Sequence, residues 1–208
     1  SAFYTGRGWR SGAELATAGM LAIPRWRARI APRPRPSFAD ATAPGAGGFL
    51  NALEAGCRGD WESDDTACLQ RAIDSATTVF VPYGFYRVTD TLLLRGTTRL
   101  VGEGLARIVL SDNATGFGTA TAPKPVVQTA ADGAATTSVA GVRLTSGAFN
   151  PGAVLLDWAA GPASGLWDVH ITCGSGSEGA GGLGVGGHGQ VHTLFHLHGA
   201  GGGWFSNV

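Results

Sequence analysis

An all-β solenoid of stacked parallel strands is the fold class this sequence predicts, and three observations predict it. Glycine is abundant, with 34 copies in 208 residues, and glycine is costly inside helices. Short runs rich in branched and aromatic residues recur through the second half, each bounded by Gly, Asp or Pro. Their spacing, roughly 10–25 residues, is long for simple hairpins and suits repeated coils that stack one apolar face on the next.

Composition excludes several classes. Charged residues are 14% and hydrophobic ones 44% of the chain, too apolar for a disordered polymer. No apolar run approaches the roughly 18 residues of a membrane-spanning helix, so no membrane association is expected. Positive and negative side chains balance at 15 each, but residues 1–40 hold seven Arg against Glu14 and Asp40. No folded nucleic-acid motif accompanies this basic stretch, so it reads as a solvated arm and no nucleic-acid partner is expected.

Residues 1–48 read as an irregular Arg/Pro-rich arm. Within it, "SGAELATAGMLAI" predicts one short helix, with Ser11 as N-cap, Glu14 at capping-box spacing and Pro24 as its stop. "APRPRP" reads as extended chain and "ATAPGAGG" as a linker. Residues 49–208 form the predicted β domain. It opens on "GDWESDDTACLQRAIDSA", where Ser63, Asp64 and Asp65 suit a helix N-terminus. Leu69, Ala72, Ile73 and Ala76 make one apolar stripe, which predicts a short capping helix.

Predicted strands follow: "TVFVP", "FYRV", "TLLL", "TRLVGEG", "RIVL", "PVVQT", "VAGVRLT", "AVLLDW", "LWDVHIT", "VHTLFHLH" and "GWFSNV". Alternation in "VHTLFHLH" and "LWDVHIT" predicts one buried and one exposed face. "GSGSEGAGGLGVGGHG" has nested Gly spacings, but no strand–turn–helix unit surrounds it, so it reads as a long turn rather than a nucleotide loop. The three Cys contain no C-x-x-C; Cys57 and Cys68 lie close enough to close a short loop in an oxidising compartment. The sequon Asn113-Ala114-Thr115 is compatible with glycosylation, and the chain begins at Ser1. Secretion to the extracellular space is the resulting expectation.

The run from Gly59 to Gly104 resembles the opening module of the pectate-lyase-like β-helix superfamily. Members show GDG-x-x-DDT-x-x-[IL]-Q-x-A-[IL], a strand, P-x-G-x-Y, a second strand and a G-E-G turn. Here Gly59-Asp60, Asp64-Asp65-Thr66, Leu69-Gln70, Ala72-Ile73, Val79 to Val81, Pro82, Gly84, Tyr86 and Gly102-Glu103-Gly104 fill the pattern. Trp61 replaces the usual Gly. The second half is similar to the fungal branch of glycoside hydrolase family 55, on Pro123 to Val126, Gly152 to Trp158 and Gly165 to His170. The resemblance implies a right-handed, single-stranded parallel β-helix with a short N-terminal capping helix. It also implies an exo-acting, inverting β-1,3-glucanase of two tandem β-helix domains, with a catalytic Glu on the second. This chain corresponds to the first, so its C-terminal end is expected to need a second domain or self-association to cover it.

Glycoside hydrolysis uses two carboxyl groups across the scissile bond. The acids on late coils are Asp157, Asp168 and Glu178; Glu103, Asp64 and Asp65 read as structural. By the resemblance, Gln190 and Ser206 are the candidates for positioning an attacking water, and with Asp168 they form the expected catalytic set. All five His fall in the last 40 residues: His170, His188, His192, His196 and His198. His192, His196 and His198 share strand parity; without an evident carboxylate partner they read as a polar wall for sugar hydroxyls rather than a metal site. Trp167, His170, His192 and Trp204 are the expected substrate contacts, the aromatic faces stacking on sugar rings. Trp158 and Trp167 suit core packing equally. A polysaccharide, here a β-glucan, is the expected partner, and no cofactor or metal is expected. The rival readings are a non-catalytic carbohydrate-binding or structural β-helix and, last, a pectate-type lyase, for which the late strands lack a Ca²⁺-holding acid cluster.

Overall fold

The computed structural model describes residues 2–4, 9–11, 48–174, 190–199 and 201–208. The chain divides into two compact units, Ser1–Pro34 and Arg35–Val208. In the first, strands β1 (Ala2–Tyr4) and β2 (Trp9–Ser11) pair antiparallel, Ala2 opposite Ser11. The arm is therefore not irregular throughout. Ser11, the expected N-cap, is the last residue of β2. The rest of the expected helix lies outside the described residues.

The second unit is mostly β, with one helix among the described residues. Strand β3 (Phe49–Asn51) precedes β4 (Asp60–Asp64) and helix α1 (Thr66–Ser75). Then come β5 (Thr78–Val81), β6 (Phe85–Val88), β7 (Leu92–Leu94) and β8 (Arg99–Leu110). The later strands are β9 (Lys124–Thr129), β10 (Ser138–Thr145), β11 (Ala153–Trp158) and β12 (Gly165–Trp167). The last are β13 (His170–Thr172), β14 (Thr193–Leu197) and β15 (Trp204–Ser206).

The pairing is parallel throughout this unit's strands. One nine-stranded sheet runs β3-β5-β8-β10-β12-β15, with β4, β6 and β13 joined to it at the side; a four-stranded sheet runs β7-β9-β11-β14. In both, chain order equals sheet order. Leu50, Val79, Leu100, Val139, Leu166 and Phe205 are successive register partners in the larger sheet. Leu92, Val127, Leu156 and Phe195 make the equivalent row in the smaller one. Burial of such rows, about 25 cal/mol per Å² of apolar area removed from water, is the main favourable term.

Two predicted elements changed at their corners. "TRLVGEG" and "RIVL" are one strand, β8, whose bend passes through Gly104 and Leu105 at positive φ, +56° and +64°. Gly102 permits the neighbouring approach, since a Cβ there would lie 2.4 Å from the Gly141 carbonyl oxygen. Conversely "LWDVHIT" splits into β12 and β13 at Asp168, which has φ +51°.

The sequence motif of the opening module is an interlock. Tyr86 is fully buried and its hydroxyl donates to the Pro82 carbonyl, 3.0 Å. A Cβ on Gly59 would meet the Tyr86 ring at 2.8 Å, and one on Gly84 would meet the Gly59 carbonyl at 2.9 Å. Burial pushes the Tyr86 phenol up to about 12. Helix α1 buries Cys68, Leu69, Ala72 and Ile73; Ser63 and Asp64 belong to β4, and Ala76 lies just past the helix end. Asp65 stands at the N-cap position, but its carboxylate accepts from the backbone N–H groups of Arg58 and Gly59. The helix N-terminus is served by Asp64, which accepts from the Thr66 amide and hydroxyl.

Cys57 and Cys68 form a disulfide, tying the loop before β4 to α1. The bridge closes a short loop, so replacing both with Ser should lower unfolding free energy by about 3 kcal/mol, read from urea melts.

Asp64 has a second consequence. Burial raises its carboxyl, but bonds from the Thr66 and Thr89 side chains, the Thr66 amide and the nearby Arg87 charge outweigh this and hold it below the usual value. Asp60, through the Ser63 amide first, and Asp90, through Lys124 first, are lowered as well. A carboxyl depressed on folding contributes stability that is complete above its unfolded value, about 4, and is lost as pH falls through the folded value. Melting temperature should therefore drop as pH falls below about 4, and Asp64→Asn should flatten that drop while leaving less stability at neutral pH.

Candidate functional site

The smaller sheet carries a polar row beside its apolar one. Gln128, Asp157 and His196 are successive register partners, and the exposed Leu93 of β7 continues the row beside Gln128. The period of two along each strand sends these side chains to the face opposite the row of buried Leu92, Val127 and Leu156 and half-buried Phe195. His198, two residues after His196, returns to the same face.

Asp157 is the centre of this row. It is 8% exposed, so its carboxylate needs partners. Its Oδ1 lies 2.8 Å from His196 Nδ1 and 3.0 Å from His198 Nε2. Its Oδ2 accepts from Gln128 Nε2, 3.1 Å. The two imidazoles stack, centroids 4.6 Å apart and planes 17° from parallel, and both remain substantially exposed. Beneath them Trp158 is fully buried, and its indole N–H donates to the Gly202 carbonyl.

A second group forms on the larger sheet. Trp167 is the register partner of Ser206. The Asp168 amide donates to the Ser206 carbonyl, 3.0 Å, and the Asp168 carboxylate accepts from Asn207 Nδ2, 2.7 Å. Asp168, Ser206 and Trp167, three of the sequence-predicted residues, thus come together. Ser206 is exposed, whereas Trp167 is buried and so packs rather than offering a stacking face. Trp204, half-buried on β15, is the register partner of Gly165. His170 sits on β13 as the partner of Arg143.

Gln190 and His192 precede β14 on the other sheet and are exposed. The His192 amide donates to the Ala153 carbonyl, and its Nδ1 lies 2.9 Å from the Thr193 hydroxyl. His192 therefore does not join His196 and His198: its ring turns to the neighbouring Thr193 hydroxyl. Glu178 and His188 lie outside the described residues, as does most of the Gly-rich stretch.

Two adjoining hollows lie elsewhere, about 540 and 190 Å³, sharing Ser111 and Asp112. Trp61 and Arg87 line the smaller one. Trp61 has φ +73°, a left-handed conformation that glycine adopts without penalty. This is the physical reason glycine is usual at that place in the motif. Its ring meets Phe85 edge-on at 5.5 Å.

Gln128 was missed in the sequence, and Asp157 was not connected to the histidines. The signal was present: "VVQT", "LLDW" and "LFHL" each put one polar residue after two apolar ones, and parallel register aligns them.

A parallel-sheet protein with a polar row along one face is the class that fold and site define. A family model described as rhamnogalacturonase A/epimerase, pectate lyase-like, matches residues 49–206, and the chain belongs to that family. Among individual proteins, it is 32% identical over 133 residues to a protein named glucan 1,3-beta-glucosidase from Cochliobolus carbonum, covering 61% of this chain and 17% of that one. It is 28% identical over 134 residues to a probable glucan endo-1,3-beta-glucosidase from Arthroderma benhamiae, covering 61% and 15%. The chain thus spans about a sixth of the length of these relatives. The crystal structure of PfbA, a surface adhesin of Streptococcus pneumoniae, aligns with a TM-score of 0.41 at 21% identity, over 59% of this chain and 33% of that one.

The Asp157 cluster can be separated from simple structural support. Its histidines are exposed and regain water if the carboxylate is removed, and replacing a buried charge with an apolar side chain of similar size is often neutral. Asp157→Leu should change unfolding free energy by less than about 1.5 kcal/mol in urea melts; a loss beyond about 3 kcal/mol would mark the cluster as a fold determinant.

Proposed function

We propose that this chain is part of a secreted glycoside hydrolase acting on β-1,3-glucan. The observation that carries the reading is the 32% identity to the Cochliobolus glucan 1,3-beta-glucosidase, and the Arthroderma relative supports it. In this reading the two parallel sheets are walls of a right-handed, single-stranded β-helix over residues 49–208, preceded by the arm 1–48. The identity of chain order and sheet order supports that architecture. The Cys57–Cys68 disulfide supports export to an oxidising compartment.

The proposed reaction is exo-acting and inverts the anomeric centre. A general acid protonates the leaving oxygen while a water, held on the opposite face of the sugar, attacks. Gln190 and Ser206 position that water, with Asp168 beside Ser206 as the acid–base group of this segment. His170, His192 and Trp204 bind sugar hydroxyls and ring faces, with Trp167 supporting them from the core. The second carboxyl comes from a further β-helix domain of the whole protein. Hydrolysis of this kind uses protein carboxyls and water and calls for no cofactor. The partner is the polysaccharide, with neither nucleic acid nor membrane.

One observation favours a second reading, a carbohydrate-binding β-helix without chemistry of its own. Each of the two clusters described above contains a single carboxylate, Asp157 or Asp168, whereas hydrolysis uses two.

Glucose release from laminarin, with pectate and polygalacturonate as controls, tests both. The whole polypeptide should release glucose from laminarin alone, first as the α-anomer by NMR. Gln190→Ala should cut turnover by about tenfold or more. Laminarin binding without release supports the second reading, and unsaturated products from pectate would overturn the glucanase reading in favour of a lyase.

A further inference from the structure

We infer that Asp157, His196 and His198 form a binding site for a zinc-class divalent cation on the outer face of the smaller sheet. The inference stands apart from the hydrolase reading and does not depend on it.

The donor set is the first support. Two imidazole nitrogens and one carboxylate oxygen are the ligands of a borderline transition metal, whereas Ca²⁺ and Mg²⁺ take six or more oxygens. The ligand atoms of the three residues all lie within 4.8 Å of one another. Around tetrahedral zinc, with bonds near 2.0–2.1 Å, ligand atoms stand about 3.4 Å apart. The observed 2.8 and 3.0 Å contacts therefore need to open by only a few tenths of an ångström. Each ring now turns one nitrogen to Asp157 Oδ1; metal binding takes that nitrogen and leaves the ring's proton on the other one.

Preorganisation is the second support. His196 and Asp157 are register partners on adjacent strands, and His198 follows two residues later on the same face. The backbone thus fixes the arrangement before any ion arrives. Gln128 donates to the second carboxylate oxygen of Asp157, 3.1 Å, the outer-shell bond that orients a ligating carboxylate. The imidazole side chains are 53% and 40% exposed, so an ion has an entry path and keeps a position open to water.

Zinc binding by the purified chain, read by competition with a chromophoric chelator, tests the proposal. One zinc per chain is expected, with micromolar or tighter affinity, and His196→Gln plus His198→Gln together should weaken it by about 100-fold or more. His192→Gln and Cys173→Ser, which change residues outside the cluster, should leave affinity unchanged. Excess Ca²⁺ should not displace the ion. X-ray absorption of the loaded wild-type chain should show nitrogen and oxygen neighbours without sulfur, and it needs no variant to fold. Absence of saturable binding below about 1 mM, full affinity in the double variant, an equal loss in either control, displacement by Ca²⁺, or a sulfur neighbour would each overturn the site. None of these readouts involves laminarin, so the two readings fail separately.

Discussion

Register between parallel strands is the constraint on which the rest of this structure depends. Because each strand pairs with the strand that follows it in the same sheet, every side chain lies beside its counterparts on adjacent strands. Apolar residues then stack on apolar residues: the row from Leu50 through Val79, Leu100, Val139 and Leu166 is one example. A slip of one residue would turn a strand's whole apolar set outward. The buried rows hold the register, and the register in turn places Gln128, Asp157 and His196 side by side. Site geometry here is a by-product of core packing, with no separate device needed to assemble it.

The opening module works differently. Gly59, Gly84, Pro82 and Tyr86 fit together through close approach and one hydroxyl hydrogen bond, and Asp65, Asp64 and the Cys57–Cys68 disulfide fasten the helix to the loop before it. Apart from the two cysteines, these residues belong to the motif that makes the family recognisable in the sequence, and every one of them serves the fold. That is why the motif identifies architecture and leaves chemistry to residues further along the chain.

The difference explains what could be read from the sequence. The helix, the parallel strands and their order were legible because apolar periodicity and punctuating Gly, Pro and Asp report local structure directly. Corners were less so: positive φ at Leu105 and Asp168 decides whether two runs fuse into β8 or separate into β12 and β13, and neither residue type announces it. The strand pair at Ala2–Tyr4 and Trp9–Ser11 was hidden by the Arg/Pro content that follows it. Among site residues, Asp168, Ser206 and Trp167 came together as neighbours in sequence and register. The grouping of Asp157 with His196 and His198 spans some 39 residues and depends on β11–β14 register, which single-strand patterns do not encode. His192 shares parity with His196 and His198, but its ring pairs with the Thr193 hydroxyl, which parity does not report.

The polar row also has a length scale. Adjacent strands stand about 4.8 Å apart, so the row repeats one position at that interval. An extended ligand laid across the strands, rather than along them, would meet the row as a ruler marked once per strand. Its first mark is Leu93, then an amide, a carboxylate and an imidazole. Each mark can be rewritten by changing one side chain on one strand, with the buried rows beneath left as they are.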